Sequence, residues 1–279
     1  MEATQKWAEL LHSATTKPGT LQQAYSNFWN YSSGNQMLAL MQCAMRGIDP
    51  GPIASYRRWQ ELGRQVRKGQ KALSLWMPIT VKRTKPEQNP KNDGESSADS
   101  QSNSSEVATT FVVRNNWFVL SQTDGKPYNP PTPPGWSRDD ALCFLDVHLV
   151  PFDLPDGNVQ GYAQGRNVAI NPLAGMPEKT LFHELAHILL GHTGSETMAD
   201  TPTLSRNQKE MEAEAVALVC LESLGLPGSD ACRGYIQHWY GTGNSIPEAT
   251  ARRIFQAADK ILKAGQSHRP PQVEKGGAQ

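Results

Sequence analysis

Two histidines separated by three residues give the clearest chemical signal in the sequence. His183 and His187 lie in the segment TLFHELAH. Four residues are about one helical turn, so both imidazoles share one face of a helix and can reach one cation. Glu184 follows about a third of a turn away, where its carboxylate can accept a proton from water. The segment therefore predicts a divalent-metal site with Glu184 as the catalytic base.

The alternative is a helix that carries two histidines by accident, and the hydrophobicity of the segment argues against it. Apolar residues surround the motif on nearly all sides, so we expect the helix to be buried. These residues are Phe182, Leu185, Ala186, Ile188, Leu189 and Leu190. Buried imidazoles and carboxylates are costly unless something pairs them, which favours the metal site.

A third ligand is required, because catalytic zinc usually has three protein ligands. The candidates lie in the segment KEMEAEA at 209–215. Glu210 and Glu214 share a helical face, whereas Glu212 points about 200° away from Glu210. We predict Glu210 as the ligand and Glu214 as a carboxylate that orients one imidazole, and the reversed assignment stays open. Imidazole and carboxylate suit Zn²⁺, and Mn²⁺ or Co²⁺ as well.

Other polar residues are candidates for accessory roles near this site. Tyr162, Tyr235 and His238 could polarise a substrate carbonyl oxygen. The segment 167–171 is predicted to be a strand that could pair with an extended peptide. His192 lies five residues after His187, beyond the expected end of the helix, and is interpreted as a capping or surface histidine.

The second half of the chain is predicted to be a mainly helical domain with a short sheet, over residues 137–265. A Pro-rich linker at 129–136 precedes it. Two short strands flank a turn at Gly165, the motif helix begins at Pro177, and the next helix ends at Gly225. The last helix follows a predicted capping box formed by Ser245 and Glu248.

The first half, 1–128, is predicted to be a smaller α+β domain with an antiparallel sheet. Helical spacing covers 7–14 and 21–28, and a capping box at Ser33–Gln36 precedes a third helix. Strand-like alternation covers 73–77 and 109–120. The polar segment 86–107 is predicted to be a disordered insertion, and 266–279 a disordered tail. The predicted fold class of the whole chain is therefore α+β.

A cluster of cations lies between residues 57 and 71, with aromatic residues interleaved. The cations are Arg57, Arg58, Arg64, Arg67, Lys68 and Lys71, and the aromatic residues are Tyr56, Trp59 and Trp76. Cations beside exposed rings are suited to single-stranded nucleic acid, because phosphates meet the charges and bases stack on the rings. The alternative is a solvated basic face with Trp59 and Trp76 in the core.

Composition adds few constraints. The 27 basic and 27 acidic residues balance, so net charge indicates no partner. The four cysteines show no metal-binding spacing, which favours reduced thiols. Neither a signal peptide nor an apolar run of membrane-spanning length is recognised, so we expect a cytoplasmic protein without a membrane partner.

These motifs together resemble a known family. The pattern of His183, Glu184, His187 and Glu210 is similar to that of gluzincin-type metallopeptidases. The chain as a whole resembles the ArdC-type antirestriction proteins of plasmids and other mobile elements. The segments that carry this likeness are YSSGNQ at 31–36, YRRWQELGRQVRKG at 56–69 and VLSQT at 119–123.

The resemblance implies an N-terminal domain that binds single-stranded DNA, fused to a zincin-like domain. It implies protection of incoming DNA from host restriction during plasmid conjugation, and it adds Tyr31, Asn35 and Gln36 to the DNA-binding candidates. A protein substrate or a host restriction component is a further expected partner. Two alternatives stay open: a non-catalytic coating protein with structural zinc, and a regulatory peptidase that cleaves a repressor-like protein.

Overall fold

The computed structural model describes residues 6–83, 106–194 and 204–266, which form an α+β fold as predicted. The helices are α1 (Trp7–Thr16), α2 (Thr20–Phe28), α3 (Ser33–Arg46), α4 (Tyr56–Glu61), α5 (Arg138–Phe144), α6 (Pro177–Leu189), α7 (Arg206–Leu224), α8 (Ser229–Gly241) and α9 (Glu248–Ala264). The strands are β1 (Ile53–Ser55), β2 (Arg64–Val66), β3 (Leu73–Arg83), β4 (Glu106–Val119), β5 (Thr123–Gly125), β6 (His148–Leu149), β7 (Gly161–Gln164) and β8 (Asn167–Ile170).

The strands form three small sheets. In the first half, β4 lies between β1 and β3 in an antiparallel sheet, and β2 pairs with β5 in a separate ribbon. In the second half, β8 lies between β6 and β7, parallel to the first and antiparallel to the second. Gly165 joins β7 to β8 with a φ of 58°, a conformation that glycine adopts at little cost.

The two halves of the chain, before and after the Pro-rich segment, share one hydrophobic core. Helices α1 to α3 pack against α7 and α9, and buried side chains of both halves form a continuous cluster. The buried Glu222 of α7 reinforces this packing, because its carboxylate accepts the backbone N–H of Leu21 at 3.0 Å and pairs with Arg233. Division of the chain at 129–136 stays a prediction, and the two halves are packed on each other along several helices.

Two predicted capping boxes are wrong, because their side chains bond across the fold instead. Ser33 is the first residue of α3, and its N–H and hydroxyl both donate to Asp259 of α9, at 2.7 and 2.6 Å. Glu248 accepts the N–H groups of Trp7 and Ala8, at 2.7 and 3.0 Å, and thereby caps α1. Local spacing identified the helix starts and missed these distant partners.

Two predicted disordered segments are shorter than expected. Residues 106–107 belong to β4 and pair with Arg83 and Lys82, so the predicted insertion is wrong at its end, and 86–105 lie outside the described residues. Gln266 pairs with Trp136, which corrects the start of the predicted tail, and 267–279 also lie outside the described residues. Within the described ranges, no helix combines the length and apolar character that crossing a membrane requires.

Candidate metal centre and basic surface

Two helices present the candidate ligands. Pro177 occupies the first turn of α6, where its missing N–H costs nothing, and the helix buries its apolar side as the sequence predicts. Ser205 caps α7 by accepting the N–H of Gln208, and Gly225 ends it in a left-handed conformation. The packing of α6 on α7 brings the histidine face of one against the glutamate face of the other.

His183, His187 and Glu210 converge on one point. Their ligand atoms all lie within 4.8 Å of one another. The two Nε2 atoms are 3.0 Å apart, and Glu210 Oε2 lies 3.3 Å from Nε2 of His183 and 3.8 Å from Nε2 of His187. Two imidazole nitrogens and one carboxylate oxygen facing a common centre are a donor set that fits a divalent transition metal.

Glu214 lies behind His183 rather than among the converging atoms. Its Oε1 is 3.3 Å from Nδ1 of His183 and accepts a hydrogen bond from Lys179 Nζ at 2.7 Å. The buried thiol of Cys232 also donates to this carboxylate. The geometry therefore favours Glu210 as the ligand and Glu214 as the orienting carboxylate, over the reversed assignment.

These contacts control the protonation of the site. Burial lowers the pKa of His183, but the carboxylates of Glu210 and Glu214 outweigh it and raise that pKa to about 9. Burial raises the pKa of Glu214, but His183, Cys232 and Lys179 hold it at about 2. The hydrogen bonds from the two imidazoles also lower the pKa of Glu210. Without metal, His183 therefore holds a proton at neutral pH.

His187 is oriented by a second chain of contacts. Its Nδ1 lies 3.0 Å from Nδ1 of His192, whose Nε2 lies 3.0 Å from Oε2 of Glu212. The side chains of His192 and Glu212 are only 3% and 1% exposed, so the interpretation of His192 as a capping or surface residue is wrong. Arg253 completes the chain, 3.6 Å from the same carboxylate oxygen.

Glu184 faces a cleft beside the ligands. The cleft has a volume of about 400 Å³, and His183, Lys179 and Glu214 also line it. Burial raises the pKa of Glu184 above its ordinary value. A β-carbon added at Gly161 of β7 would lie 2.5 Å from Thr180 Cγ2 and 3.6 Å from Glu184 Cγ, so this glycine allows the strand to approach the motif helix closely.

The accessory candidates lie at different places around the cleft. Tyr235 of α8 is 40% exposed, and its pKa is raised by burial and by the charges of Glu210 and Glu214, which places it in the electric field of the site. His238 is exposed one turn later. Tyr162 alternates with Gly161 on β7, so it points to the other face of the strand, and its hydroxyl donates to Asp153 at 2.7 Å.

The peptide-pairing strand was assigned wrongly. β8 lies between β6 and β7, and β6 already pairs with Asn167 and Val168 of this strand. β7 is the edge strand, and it is also the strand that passes over α6. Among the described strands, β7 therefore offers the sheet edge at which an extended peptide could pair.

Sequence reasoning missed several residues that surround the candidate ligands. Lys179 lies one helical turn before His183, so its position on the same helical face could have been predicted from the spacing. The contact between His192 and Glu212 could not be predicted from spacing, because the chain folds back at Gly191 (φ 75°) before His192 meets α7.

The exposed part of the basic cluster lies on and around α4. The side chain of Arg57 is 90% exposed and that of Arg58 60% exposed, and both pair with Glu61. Lys68 and Lys71 are exposed, and Tyr56 is 40% exposed. Arg67 pairs with Asp124, whereas Arg64 bonds to Thr123 and the Lys126 carbonyl in the β2–β5 ribbon.

Several other DNA-binding candidates hold the domain together. Both amide atoms of Asn35 bond to the backbone of Trp76, and the Gln36 amide donates to the Tyr31 carbonyl. Trp59 is 1% and Trp76 6% exposed, as the alternative of a solvated basic face anticipated for these two rings. The Tyr31 hydroxyl donates to the Ile53 carbonyl at 3.0 Å, although its ring stays partly exposed.

Comparison with known proteins points to one family. Residues 1–113 match the family described as the N-terminal domain of anti-restriction factor ArdC. The fold is similar to the metal-free crystal structure of the antirestriction protein ArdC from plasmid R388, with a TM-score of 0.50, 20% identity and coverage of 93% of this chain and 94% of that chain. The Mn(II)-bound structure of the same R388 protein gives a TM-score of 0.48 at 20% identity, covering 93% of each chain. A comparison with curated sequences finds no match.

The family match covers the helices and sheet of the first half, and the similarity of fold extends over both halves. Residues 1–113 therefore belong to the N-terminal domain family of the anti-restriction factor ArdC, and the chain as a whole has a fold similar to that of the R388 ArdC protein.

Proposed function

We propose that this protein binds single-stranded DNA and carries a metallopeptidase-type centre, and that it protects incoming DNA from host restriction. The observation that carries the enzymatic part is the convergence of His183, His187 and Glu210 within 4.8 Å, beside a cleft that contains Glu184. The first half supplies a surface of exposed cations.

The residues present fit a divalent metal. Nε2 of each histidine and Oε2 of Glu210 would hold it, and Zn²⁺ suits this donor set, as do Mn²⁺ and Co²⁺. A divalent metal at this position would polarise a peptide carbonyl and lower the pKa of water. His183 must lose its proton before Nε2 can act as a ligand, so binding of the metal releases a proton.

The protein groups supply the proton transfers. The buried carboxylate of Glu184 takes a proton from the attacking water and delivers it to the leaving amine, and burial raises its pKa, which makes it a stronger base than an exposed glutamate. Tyr235 supplies a hydroxyl near the site for the carbonyl oxygen. A peptide pairs with the free edge of β7 and thereby lies across the cleft.

The surrounding contacts fix the tautomers that this role requires. With Nε2 of His187 used as a ligand, its proton is on Nδ1 and is donated to Nδ1 of His192. His192 then carries its own proton on Nε2 and donates it to Glu212. Nδ1 of His183 likewise faces Glu214. Both imidazoles are therefore oriented by carboxylates that are not ligands.

The proposed binding of DNA depends on the positive charge of exposed residues in the first half. Arg57, Arg58, Lys68 and Lys71 are exposed and can neutralise phosphates, and binding through them weakens as salt rises. A strand coated in this way is sterically denied to nucleases. A host restriction component or another protein would then be a substrate of the metallopeptidase-type centre in the second half.

The test compares Glu184→Gln with wild type and with Glu178→Gln, a control at an exposed glutamate in the first turn of α6. Metal content, cleavage of unfolded casein and protection of transferred plasmid DNA are measured for each protein. We expect Glu184→Gln to keep its metal and lose cleavage. Retained cleavage would reject Glu184 as the base.

Protection in cells separates the peptidase from the coating protein. If protection is lost in Glu184→Gln, it requires proteolysis. If protection survives that change but fails when Arg57, Arg58, Lys68 and Lys71 are replaced by glutamine, the protein acts by coating DNA and the metal has a structural role. Protection that is indifferent to the basic residues would favour a regulatory peptidase.

A further inference from the structure

A second cleft lies in the first half, next to the basic surface and away from the candidate metal ligands. It has a volume of about 590 Å³, within the usual range for small-molecule sites. Its walls come from the end of α2, from β1 and α4, from β4 and from the Pro-rich segment. Five aromatic side chains line it, namely Trp29, Tyr31, Trp59, Trp117 and Tyr128.

Four of these residues are partly exposed, whereas Trp59 is buried, as is Trp76 outside the cleft. They are also held in place. Trp29 donates its indole N–H to the Pro131 carbonyl at 3.3 Å, and the Tyr31 hydroxyl is fixed by its bond to the Ile53 carbonyl. The ring of Tyr128 packs edge-on against Trp59 at 5.4 Å between centroids. The cleft is therefore a preformed surface for stacking.

The polar groups around the rings suit a planar ligand attached to an anion. The amides of Asn27 and Asn30 and the hydroxyl of Ser55 lie in the lining, and no described lining residue is a carboxylic acid. Arg58 is the cation of the lining, with its side chain 60% exposed. A nucleobase has the required flat face and hydrogen-bonding edge, and its phosphate supplies the charge that Arg58 meets.

Resting on the proposed binding of single-stranded DNA, we propose that this aromatic cleft takes an unstacked base of the strand while Arg58 contacts a neighbouring phosphate. The basic surface then supplies affinity for any polyanion, and the cleft distinguishes a strand with bases from a bare backbone. It also excludes duplex DNA, because a paired and stacked base cannot enter without leaving the helix.

The test uses two fluorescent oligomers of about 12 nucleotides, a length within the footprint of single-strand binders. One is oligothymidylate and the other has the same backbone with abasic residues. We expect wild type to bind the first about tenfold or more tightly. Tyr128→Leu and Trp29→Leu should reduce this preference while leaving abasic affinity unchanged. Phe152→Leu, at a partly exposed ring of the second half, is the control and should keep the preference.

The outcomes distinguish the two proposals. Equal binding of both oligomers by wild type would overturn the base site and leave binding of single strands intact. Failure to bind either oligomer would reject the DNA-binding function, and the base site with it.

A measurement on wild type covers the case in which a variant does not fold. An oligomer that carries 5-iodouracil is photocrosslinked to the protein, and the adduct is mapped by mass spectrometry. Adducts on Trp29, Tyr31, Trp117 or Tyr128 are expected, and adducts confined to other residues would overturn the base site.

Discussion

Metal binding should depend steeply on pH, because a metal must displace the proton that His183 holds. The pKa of His183 in the metal-free protein is about 9, which is about two units above pH 7. At pH 7 the metal must therefore compete with a bound proton. This competition amounts to about a hundredfold in apparent affinity, or about 3 kcal/mol. The apparent affinity for Zn²⁺ should therefore rise about tenfold per pH unit from pH 7 and level off near pH 9.

The assay is competition with a chromophoric chelator across this pH range. Calorimetry in two buffers of different ionisation enthalpy counts the released protons, and about one is expected at pH 7. Glu214→Gln removes one of the carboxylates that raise the pKa of His183, so the region in which affinity levels off should move to lower pH. Glu178→Gln should leave it unchanged. Affinity that is flat between pH 7 and 9, or binding without proton release, would refute the reasoning.

The same proton determines how the metal-free protein responds to pH. The pKa of His183 is raised on folding, so its pairing with Glu210 and Glu214 stabilises the fold fully below about pH 6.5 and is lost as pH rises through about 9. The midpoint of thermal unfolding of metal-free protein should fall over that interval, and saturating Zn²⁺ should offset the fall. A midpoint that rises over the interval would contradict the assigned direction.

Three further predictions concern packing and orientation. His192→Phe should weaken Zn²⁺ binding about 10- to 100-fold in the chelator competition, because His187 loses the partner that fixes its tautomer, and unchanged affinity would dismiss the role of His192. Gly161→Ala should destabilise the protein by about 1–3 kcal/mol in urea unfolding, since the new methyl would lie 2.8 Å from the Ala169 carbonyl, whereas Gly157→Ala, with open space around it, should be neutral. Glu248→Ala should cost about 1 kcal/mol in the same assay by removing the cap of α1, and an unchanged midpoint would show that the cap is replaced by solvent.

The convergence of the candidate metal ligands could be predicted from sequence in large part because their spacing is local. Residues 183 and 187 must share a helical face, and Glu210 and Glu214 must share another, wherever the helices pack. The predicted first-turn Pro177 and terminal Gly225 have the same local origin. What spacing could not reveal is which carboxylate faces Nε2, since that depends on how α6 lies against α7.

The errors arise where partners are distant in the chain. Ser33 and Glu248 have the composition of local caps but bond across the two halves, at separations of 226 and about 240 residues. His192 was predicted to be a capping or surface residue because its partner Glu212 lies on another helix. Of the rings predicted beside the cations, Trp59 and Trp76 are buried and Tyr56 is exposed. The partly exposed rings of the aromatic cleft come mostly from other segments of the chain.

The shared core has a consequence for how this protein can be divided. A cut in the Pro-rich segment leaves the interlocked helices α1, α2, α7 and α9 untouched, so the nicked chain should migrate as one particle under native conditions. Expression of either half alone would instead expose large hydrophobic surfaces that the other half covers in the intact chain. Mutations that weaken the packing of α1 against α9 and of α2 against α7 should therefore impair the proposed binding of nucleic acid and of metal together.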